Sequence, residues 1–284
     1  MRLLLTGKNG QLGQTLQNRL AQDHEIIALG RSDLDLNQPE AIKGVLDEHQ
    51  FDYIINTAAY IAVDQAESDN ETAFRVNAES PGVLASIAAD RGLGFIHFST
   101  DFVFDGLLSR PYVEDDRTNP INVYGASKEA GEGNVLEAKK DAIIIRTSWV
   151  YSSVGKNFLL TMLRLGKERE SLNVVKDQIG TPTSTHTLAT AIELILGSEK
   201  GLDGGIYHLS DEGVASWYDF ARAIMAIGGL NCHVKPIPAT DYPTPAKRPQ
   251  FSVMNKSKIA QALNWDIPHW QESLERVIKN EIQQ

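Results

Sequence analysis

The sequence predicts an α/β fold with a parallel sheet covered by helices on both faces. Short apolar runs alternate with helical stretches through the first half of the chain. The runs are rich in isoleucine and lack the polar alternation of a half-exposed sheet. Alternation of strand and helix gives parallel strands with right-handed crossovers, so we expect a doubly wound, Rossmann-type sheet.

The individual strands and helices of this sheet follow from local pattern. Leucines at positions 12, 16 and 20 share one side of a helix, and buried strands appear as short apolar runs. The predicted strands are Arg2–Thr6, Glu25–Leu29, Tyr53–Thr57, Phe95–Ser99 and Ala142–Arg146. The predicted helices are Gln11–Gln22, Pro39–His49, Asp69–Arg91 and Gly125–Ala138.

The alternation of strands and helices becomes less regular after about Trp149, and we expect a domain boundary there. Residues 1–150 are predicted to form the dinucleotide-binding sheet domain and residues 151–284 a smaller C-terminal substrate-binding domain. The chain is expected to return to the sheet around residues 183–208. Further predicted elements are helices Asn157–Gly166, Leu188–Leu196 and Trp217–Ala226, strand Ile206–Leu209 and a proline-rich loop Pro236–Pro249.

Composition and charge narrow the class of protein. The 284 residues are 42% hydrophobic and 23% charged, which is ordinary for a globular enzyme. A net charge of −10 argues against a nucleic-acid partner. No apolar run approaches the roughly 20 residues that cross a bilayer, and no signal peptide is visible, so no membrane partner is expected. With Cys232 as its single cysteine, the chain is expected in the reducing cytoplasm.

A glycine-rich turn follows the first predicted strand and opens the first predicted helix. Gly7 allows the tight turn, Gly10 lets backbone approach a pyrophosphate, and Gly13 lets helix and strand pack closely. The free N–H groups and positive dipole end of the helix would then meet the phosphates. The turn predicts a bound dinucleotide, although three glycines can also serve only to shape a turn.

The end of the second predicted strand bears on which dinucleotide is bound. An acidic residue there pairs with the ribose 2′-hydroxyl of NAD, but this chain has Gly30-Arg31-Ser32. A cation and a hydroxyl suit a 2′-phosphate, so we predict that NADPH is preferred to NADH. Arg31 could instead be a solvated surface residue, and the nearby acids Asp33 and Asp35 weigh against the assignment.

A tyrosine and a lysine four residues apart begin the helix that starts near Gly125. This spacing puts Tyr124 and Lys128 on one helical face, where an ammonium is expected to lower the phenol pKa and to bond a cofactor ribose. Tyr124 would then protonate a carbonyl oxygen as hydride reaches its carbon. Thr100, after the fourth strand, can bond the same oxygen, although local capping is the alternative for Ser99 and Thr100.

Longer motifs carry a resemblance to a known family. The chain resembles the extended short-chain dehydrogenase/reductases and, within them, the dTDP-4-dehydrorhamnose reductases, which reduce the 4-keto group of dTDP-4-dehydro-6-deoxy-L-mannose to dTDP-L-rhamnose. The similarity runs nearly from end to end. Its most specific segments are Ala62-Val-Asp-Gln-Ala-Glu67, Arg146-Thr-Ser-Trp-Val-Tyr151 and Asp177-Gln-Ile-Gly-Thr-Pro182.

The resemblance implies roles for individual residues. Tyr124 is the implied proton donor, Lys128 its activator and a ribose ligand, and Thr100 the third catalytic residue. Asp101 and Trp149 are implied to bind the sugar nucleotide beside Thr100, although Trp149 could equally be a core aromatic. The implied cofactor contacts are Gly10, Gln11, Leu12, Asp35, Leu36, Ala59, Tyr60, Ile61 and Phe98.

Two further questions about this site are which residue binds the substrate diphosphate and whether a metal ion is bound. Arg248 is our candidate for the diphosphate, because a guanidinium fork matches phosphate oxygens, although a surface arginine is the plain alternative. Some family members bind magnesium through glutamates at a dimer interface. Here Gln14-Thr15 and His186 stand in the matching regions, so we expect no metal, and a homodimer stays open.

Two other functions compete with reduction. A nucleotide-sugar dehydratase or epimerase shares the scaffold, but a dehydratase needs an acid directly after the Thr-Asp pair, where this chain has Phe102. Another nucleotide 4-keto-6-deoxy sugar also remains open as the substrate. A non-catalytic regulatory subunit would show erosion of the tyrosine, lysine or threonine, and all three are present.

Overall fold

The computed structural model describes residues 1–198 and 201–282. Its strands are β1 Arg2–Thr6, β2 Glu25–Leu29, β3 Tyr53–Asn56, β4 Gly94–Thr100, β5 Ile143–Thr147, β6 Val150–Tyr151, β7 Ser171–Val175, β8 Ile179–Gly180, β9 Thr183–Ser184, β10 Gly205–His208, β11 Ala215–Ser216 and β12 His233–Ile237. Its α-helices are α1 Gln11–Leu20, α2 Pro39–Asp47, α3 Val63–Ala66, α4 Asn70–Phe74, α5 Ser80–Asp90, α6 Val123–Ala138, α7 Phe158–Glu168, α8 Thr185–Gly197, α9 Trp217–Ile227, α10 Ser257–Leu263 and α11 Trp270–Val277.

Six strands form one fully parallel sheet in the order β10-β5-β4-β3-β1-β2. The chain winds outward in both directions from β1, so strand order reverses between β1 and β3. A doubly wound sheet of this kind binds ligands at the carboxyl ends of its strands, next to that reversal. The predicted α/β, Rossmann-type fold is confirmed.

Helices cover both faces of the sheet because alternate strand residues point to opposite sides. Leu3 and Leu5 of β1 pack with residues of α1 and α8 on one face. Leu4, between them, packs with residues of α2 and α5 on the other. These leucines are at most 1% exposed, which explains why the strands read as continuous apolar runs.

A second apolar cluster lies outside the sheet and is built from α7, α9, α11 and the parallel pair β7–β12. Phe220 and Leu274 are fully buried in it. Between the elements of this cluster the chain passes through α8 and β10, and β10 joins the edge of the main sheet beside β5. Among the described residues, no helix is long and apolar enough to cross a membrane.

Two local expectations differ from the structure. The helix expected over Asp69–Arg91 is divided into α4 and α5 by a π-helical segment, Arg75–Glu79. Such a segment adds a residue to the turn and rotates the side chains that follow. The expected loop from Pro236 begins two residues late, because Pro236 and Ile237 end β12, which is an edge strand of a two-stranded sheet, where a proline is tolerated.

Candidate active site

A cavity of about 960 Å³ opens at the carboxyl ends of β1, β3, β4 and β5. All but one of the residues predicted to bind cofactor or substrate line it, and the exception is Arg248. Those that line it are Gly7, Gly10, Gln11, Leu12, Gly13, Arg31, Asp35, Leu36, Ala59, Tyr60, Ile61, Phe98, Thr100, Asp101, Tyr124, Lys128 and Trp149.

The glycine turn is shaped for close approach of a ligand to the backbone. Gly7 has φ +74°, and a Cβ on Gly13 would lie 2.1 Å from the carbonyl oxygen of Gly7. Gly10 is the N-cap of α1 and has no side chain to bond the first turn. The first N–H groups of α1, which have no partner within the helix, therefore face the cavity and fit the phosphates of a dinucleotide.

The end of β2 presents a cation to the same cavity. The Arg31 side chain is 81% exposed, and its Nε lies 3.6 Å from Asp35 Oδ1. Asp33 faces Lys8 instead, which donates to its Oδ2 at 2.6 Å, and the same oxygen accepts from the Gly30 N–H at 2.9 Å. Since Lys8 and Gly30 bond Asp33, that acid does not compete for Arg31.

The start of α6 is fixed by two side chains, and this places Tyr124 in the first helical turn. Asn122 is the N-cap, and its Oδ1 accepts from the Gly125 N–H at 2.7 Å. Glu67 accepts from the Val123 N–H at 2.8 Å. Glu67 belongs to the Ala62–Glu67 motif, so part of that motif holds the helix that carries the tyrosine.

The Tyr124 phenol lies deep at the cavity wall, although its side chain is partly accessible through the cavity. The pKa of Tyr124 is raised to about 12, mainly by burial; the Thr100 hydroxyl opposes this increase and the Asp101 carboxylate contributes to it. The expected lowering of the phenol pKa is therefore wrong for this structure: burial determines the direction of the shift, and the Lys128 ammonium is bonded to the carbonyl oxygen of Phe98.

Lys128 is 2% exposed and its ammonium points to the backbone of β4. Nζ donates to the carbonyl oxygen of Phe98 at 2.7 Å and lies 3.4 Å from His97 Nε2. Burial lowers the pKa of Lys128 to about 8, and the Glu132 carboxylate partly opposes this. The ammonium is thus held at the edge of the cavity with few partners.

Polar side chains gather at the ends of β4 and β5. Thr100 caps the 3₁₀ turn Asp101–Val103 by accepting from the Phe102 N–H at 3.2 Å, and it donates to Asp101 Oδ1 at 3.1 Å. Burial raises the pKa of Asp101 to about 6, although bonds from Ser252 and Thr100 oppose this. Thr100 therefore caps the turn that follows β4, and its side chain also lines the cavity.

Sequence reasoning missed several residues at this site. The hydroxyls of Ser99 and Thr147 line the cavity, and among the described residues neither has a hydrogen-bond partner, so both can bond a ligand there. Trp217 also lines it, and only its place in a family motif could have indicated this. Asn77, in the π-helical segment, accepts from the Tyr60 N–H at 2.8 Å and donates to the Tyr60 carbonyl at 3.0 Å. No sequence signal pointed to Asn77.

Comparison with known proteins assigns the chain to a family. Residues 1–282 match the protein family described as RmlD substrate binding domain. The chain belongs to this RmlD family. A dTDP-4-dehydrorhamnose reductase of Burkholderia thailandensis is 42% identical over 287 residues, which cover 95% of each chain.

Solved structures with the same name extend the similarity to three dimensions. A dTDP-4-dehydrorhamnose reductase of Clostridium acetobutylicum superposes with a TM-score of 0.94 at 37% identity, over 100% of both chains. One from Bacillus anthracis, in complex with NADP, has a TM-score of 0.93 at 36% identity and covers 98% of this chain and 99% of its own. The similarity to these structures therefore spans the main sheet and the apolar cluster outside it.

Arg248 lies apart from the cavity lining of this RmlD-family chain. Its guanidinium donates to Asp64 Oδ2 at 2.8 Å and to Asp64 Oδ1 at 3.0 Å, and it also bonds Thr244 Oγ1 at 2.6 Å. The arginine lowers the pKa of Asp64. A diphosphate contact from Arg248 stays a prediction.

Thr15 and His186 stand in the regions that match the magnesium-binding glutamates of some family members. Thr15 Oγ1 donates to Thr185 Oγ1 at 2.9 Å, and His186 Nε2 pairs with Glu281 Oε1 at 2.7 Å. A hard cation prefers several carboxylate oxygens, which these side chains do not supply. Over the described residues, no group of three histidine, cysteine, aspartate or glutamate side chains is placed to hold a metal ion.

Proposed function

We propose that this protein reduces the 4-keto group of dTDP-4-dehydro-6-deoxy-L-mannose to dTDP-L-rhamnose with NADPH, a step in nucleotide-sugar and polysaccharide biosynthesis. The observation that carries the proposal is the convergence of Tyr124, Lys128 and Thr100 on one cavity with the glycine turn. Relatives between 36% and 42% identical that bear the name of this reductase support the choice of substrate.

A bound nicotinamide supplies the hydride in such a reduction, and the protein supplies the proton. With a pKa of about 12, Tyr124 is a neutral phenol near neutral pH, which is the form that donates a proton. Tyr124 and Thr100 line the same cavity, so both hydroxyls are available to one ligand atom at its wall. Together they can hold one carbonyl oxygen and transfer a proton to it as negative charge develops there.

Lys128 supports this chemistry by binding the cofactor and not by lowering the pKa of Tyr124. Its ammonium has three N–H donors, one of which is directed at Phe98 O at 2.7 Å. A further N–H can be donated into the cavity, where a ribose hydroxyl is a fitting acceptor. Its positive charge also favours the negatively charged oxygen that forms during reduction.

The preference for NADPH rests on the end of β2. Arg31 lines the cavity with an exposed guanidinium, and its contact with Asp35 is long at 3.6 Å. An exposed pair at this distance contributes little free energy, so a phosphate can displace the carboxylate. Lys8 balances the charge of Asp33 nearby. The exposed guanidinium of Arg31 therefore supports a 2′-phosphate over a bare 2′-hydroxyl.

Elimination of water is less well supported than reduction. Phe102, which stands where a dehydratase needs its acid, packs edge-on against Tyr124 with ring centroids 5.8 Å apart. An apolar ring there gives no second proton donor. The intact Tyr124, Lys128 and Thr100 set likewise favours an enzyme over a non-catalytic subunit.

The decisive experiment is a substrate panel with the purified protein. NADPH oxidation is followed on addition of dTDP-4-dehydro-6-deoxy-L-mannose, of its UDP and GDP counterparts, and of 4-keto-6-deoxy sugars with other stereochemistry. We expect the highest kcat/KM with the dTDP-linked L-mannose derivative and dTDP-L-rhamnose as the product by NMR. No oxidation with any member, despite measurable NADPH binding, would favour a non-catalytic binding protein.

A further inference from the structure

We infer that Gln11 is a positioning residue that couples the glycine turn to the substrate side of the cavity, an inference that rests on the proposed function for the identity of cofactor and substrate. Gln11 is the first residue of α1 and lines the cavity. Its side chain leaves the glycine turn and reaches the segment that follows β5. There Oε1 accepts from Asn157 Nδ2 at 2.8 Å, and Nε2 donates to the carbonyl oxygen of Val150 at 3.4 Å.

The receiving segment is shaped around this side chain. Gly155 has φ +78°, and a Cβ there would lie 3.3 Å from Gln11 Cγ. The Asn157 amide also donates to the carbonyl oxygen of Ser152 at 2.9 Å, which folds the segment back on itself. Residues 152–157 therefore form a compact turn, and the Gln11 side chain packs against it.

Both points of contact adjoin residues that build the aromatic wall of the cavity. Val150 directly follows Trp149, and Asn157 is the N-cap of α7. This helix begins with Phe158, whose ring centroid lies 4.7 Å from that of Trp217. Trp217 in turn stacks on Trp149. The glutamine therefore contacts the chain one residue away from Trp149 and one residue away from the ring that packs on Trp217.

The cofactor reaches the same glutamine from the other direction. Its phosphates fit the first N–H groups of α1, the helix that begins at Gln11. Binding there restricts the motion of the first helical turn and, through the Gln11 amide, of residues 150–157. A sugar nucleotide that binds next meets an aromatic wall that is already ordered, so less entropy is lost and its affinity is higher. Because binding free energies are linked, the sugar nucleotide strengthens cofactor binding by the same factor.

Anchoring of α1 in the fold does not require this glutamine. Thr15 bonds Thr185, and Arg19 pairs with Glu193, so α8 already holds the body of the helix. Leu16 is fully buried in the core on the same side. The Gln11 amide lies instead at the end of the helix that faces the cavity, where it contacts the chain that leads to the substrate side.

Two substitutions remove the crossing hydrogen bond from opposite sides. Gln11→Met keeps the length of the side chain and leaves the backbone N–H groups in place, but it has no amide. Asn157→Ser keeps an N-cap oxygen for α7 and is too short to reach Gln11. Gln14→Met is the matched control, because it makes the same exchange in the same helix, where the Gln14 amide donates to Asn9 O at 2.9 Å within the glycine turn.

The coupling is the ratio of the Kd for dTDP-L-rhamnose without and with saturating NADPH, a pair of ligands that cannot react, and titration calorimetry measures it. We expect a ratio of about three to ten in the wild type and in Gln14→Met, the equivalent of one neutral hydrogen bond. The ratio should fall below about two in Gln11→Met and Asn157→Ser. Retained NADPH binding shows that each variant is folded. A wild-type ratio of about one, or equal ratios in the wild type and all variants, would overturn the inference.

Hydrogen exchange tests the same coupling without a sugar nucleotide. NADPH should slow the exchange of backbone amides in residues 150–160 of the wild type and Gln14→Met, and it should not do so in Gln11→Met. If exchange behaves in this way while the wild type neither binds dTDP-L-rhamnose nor reduces any keto sugar, the result would count against the proposed function alone. Unchanged exchange in a wild type that binds NADPH would count against Gln11 as the link.

Discussion

The indole rings of Trp149 and Trp217 stack with their centroids 3.6 Å apart and their planes 8° from parallel. Trp149 has a positive φ of 46°, a left-handed conformation that a bulky residue rarely adopts and that costs about 1 to 3 kcal/mol. Gly180 lies under its ring, and a Cβ there would approach the indole to 2.7 Å. Both rings line the cavity, so the stack holds a strained aromatic wall in place.

Removing the partner ring should therefore release Trp149. We expect Trp217→Ala to raise the KM for the sugar nucleotide about five- to tenfold, the equivalent of one aromatic pair, and to leave the Kd for NADPH within about twofold. Trp217→Phe, which keeps a ring, should recover most of the affinity. Steady-state kinetics and cofactor titration measure the two constants, and an equal loss in both would contradict the predicted role of Trp149, held by Trp217, in binding the sugar nucleotide.

Tyr124→Phe should abolish proton donation without disturbing the cavity. We expect kcat to fall by about 10² to 10⁴, the usual contribution of a general acid, with the Kd for NADPH unchanged within about twofold. Tyr218→Phe, which removes a hydroxyl bonded to Arg222 outside the cavity, is the matched control and should retain wild-type kcat. A Tyr124→Phe variant with undiminished turnover would rule out the phenol as the donor.

Arg31→Ala tests the choice of cofactor. We expect the KM for NADPH to rise about five- to tenfold, because one charge-assisted contact to the 2′-phosphate is lost, while the KM for NADH stays the same. Arg117→Ala removes an exposed arginine away from the cavity and controls for the change in net charge. A wild type that prefers NADH, or equal effects on both cofactors, would refute the assignment.

Two glycine substitutions distinguish backbone approach from helix stability. Gly13→Ala puts a methyl group 2.1 Å from the carbonyl oxygen of Gly7, so α1 must move away from the turn. We expect it to lower the free energy of unfolding by about 1 to 3 kcal/mol and to weaken NADPH binding at least about tenfold. Gly133→Ala, in α6 with nothing within 4 Å, should raise the free energy of unfolding by about 0.5 to 1 kcal/mol. Urea unfolding and cofactor titration measure both, and equal behaviour would contradict the argument.

Local sequence pattern was sufficient for the elements that are buried on both faces. The predicted bounds of β1 and β2, Arg2–Thr6 and Glu25–Leu29, are those of the structure. A short apolar run with polar turn residues at each end is typical of a buried strand, and the turn residues mark its bounds. The pairs β6–β9 and β8–β11 were not predicted. Each has strands of two residues, and such pairing depends on where distant segments meet.

The site divides in the same way between local and tertiary information. The glycine turn and the Tyr124–Lys128 spacing are local, and both lie at the cavity as predicted. The pairing of Arg248 with Asp64 joins residues far apart in the sequence and has no local signal. The raised pKa of Tyr124 depends on burial, which sequence spacing does not report, so the expected direction of that shift was wrong.

Asp211 gives the fold a pH dependence of its own. It is fully buried, accepts from the Ser184 N–H at 3.2 Å and from the Thr187 hydroxyl, and burial raises its pKa to about 7 despite these bonds and one from Ser273. The folded state thus binds this proton more tightly than the unfolded chain, whose carboxyl has a pKa near 3.8. The contribution of Asp211 to the free energy of unfolding therefore increases as the pH falls below about 7 and is lost as the pH rises through that value.

We expect the stability of the wild type relative to Asp211→Asn to increase by about 2 kcal/mol between pH 7 and pH 5, since the amide has no proton to gain over this range. Urea unfolding of both proteins at several pH values measures the difference, and all other titrating groups cancel in it. Because the charged carboxylate is the costly form, the difference should level off below the pKa of the unfolded chain. If the free energy of unfolding changed with pH in the same way for the two proteins, Asp211 would have an ordinary carboxyl pKa in the folded state, and the argument from its burial would be wrong.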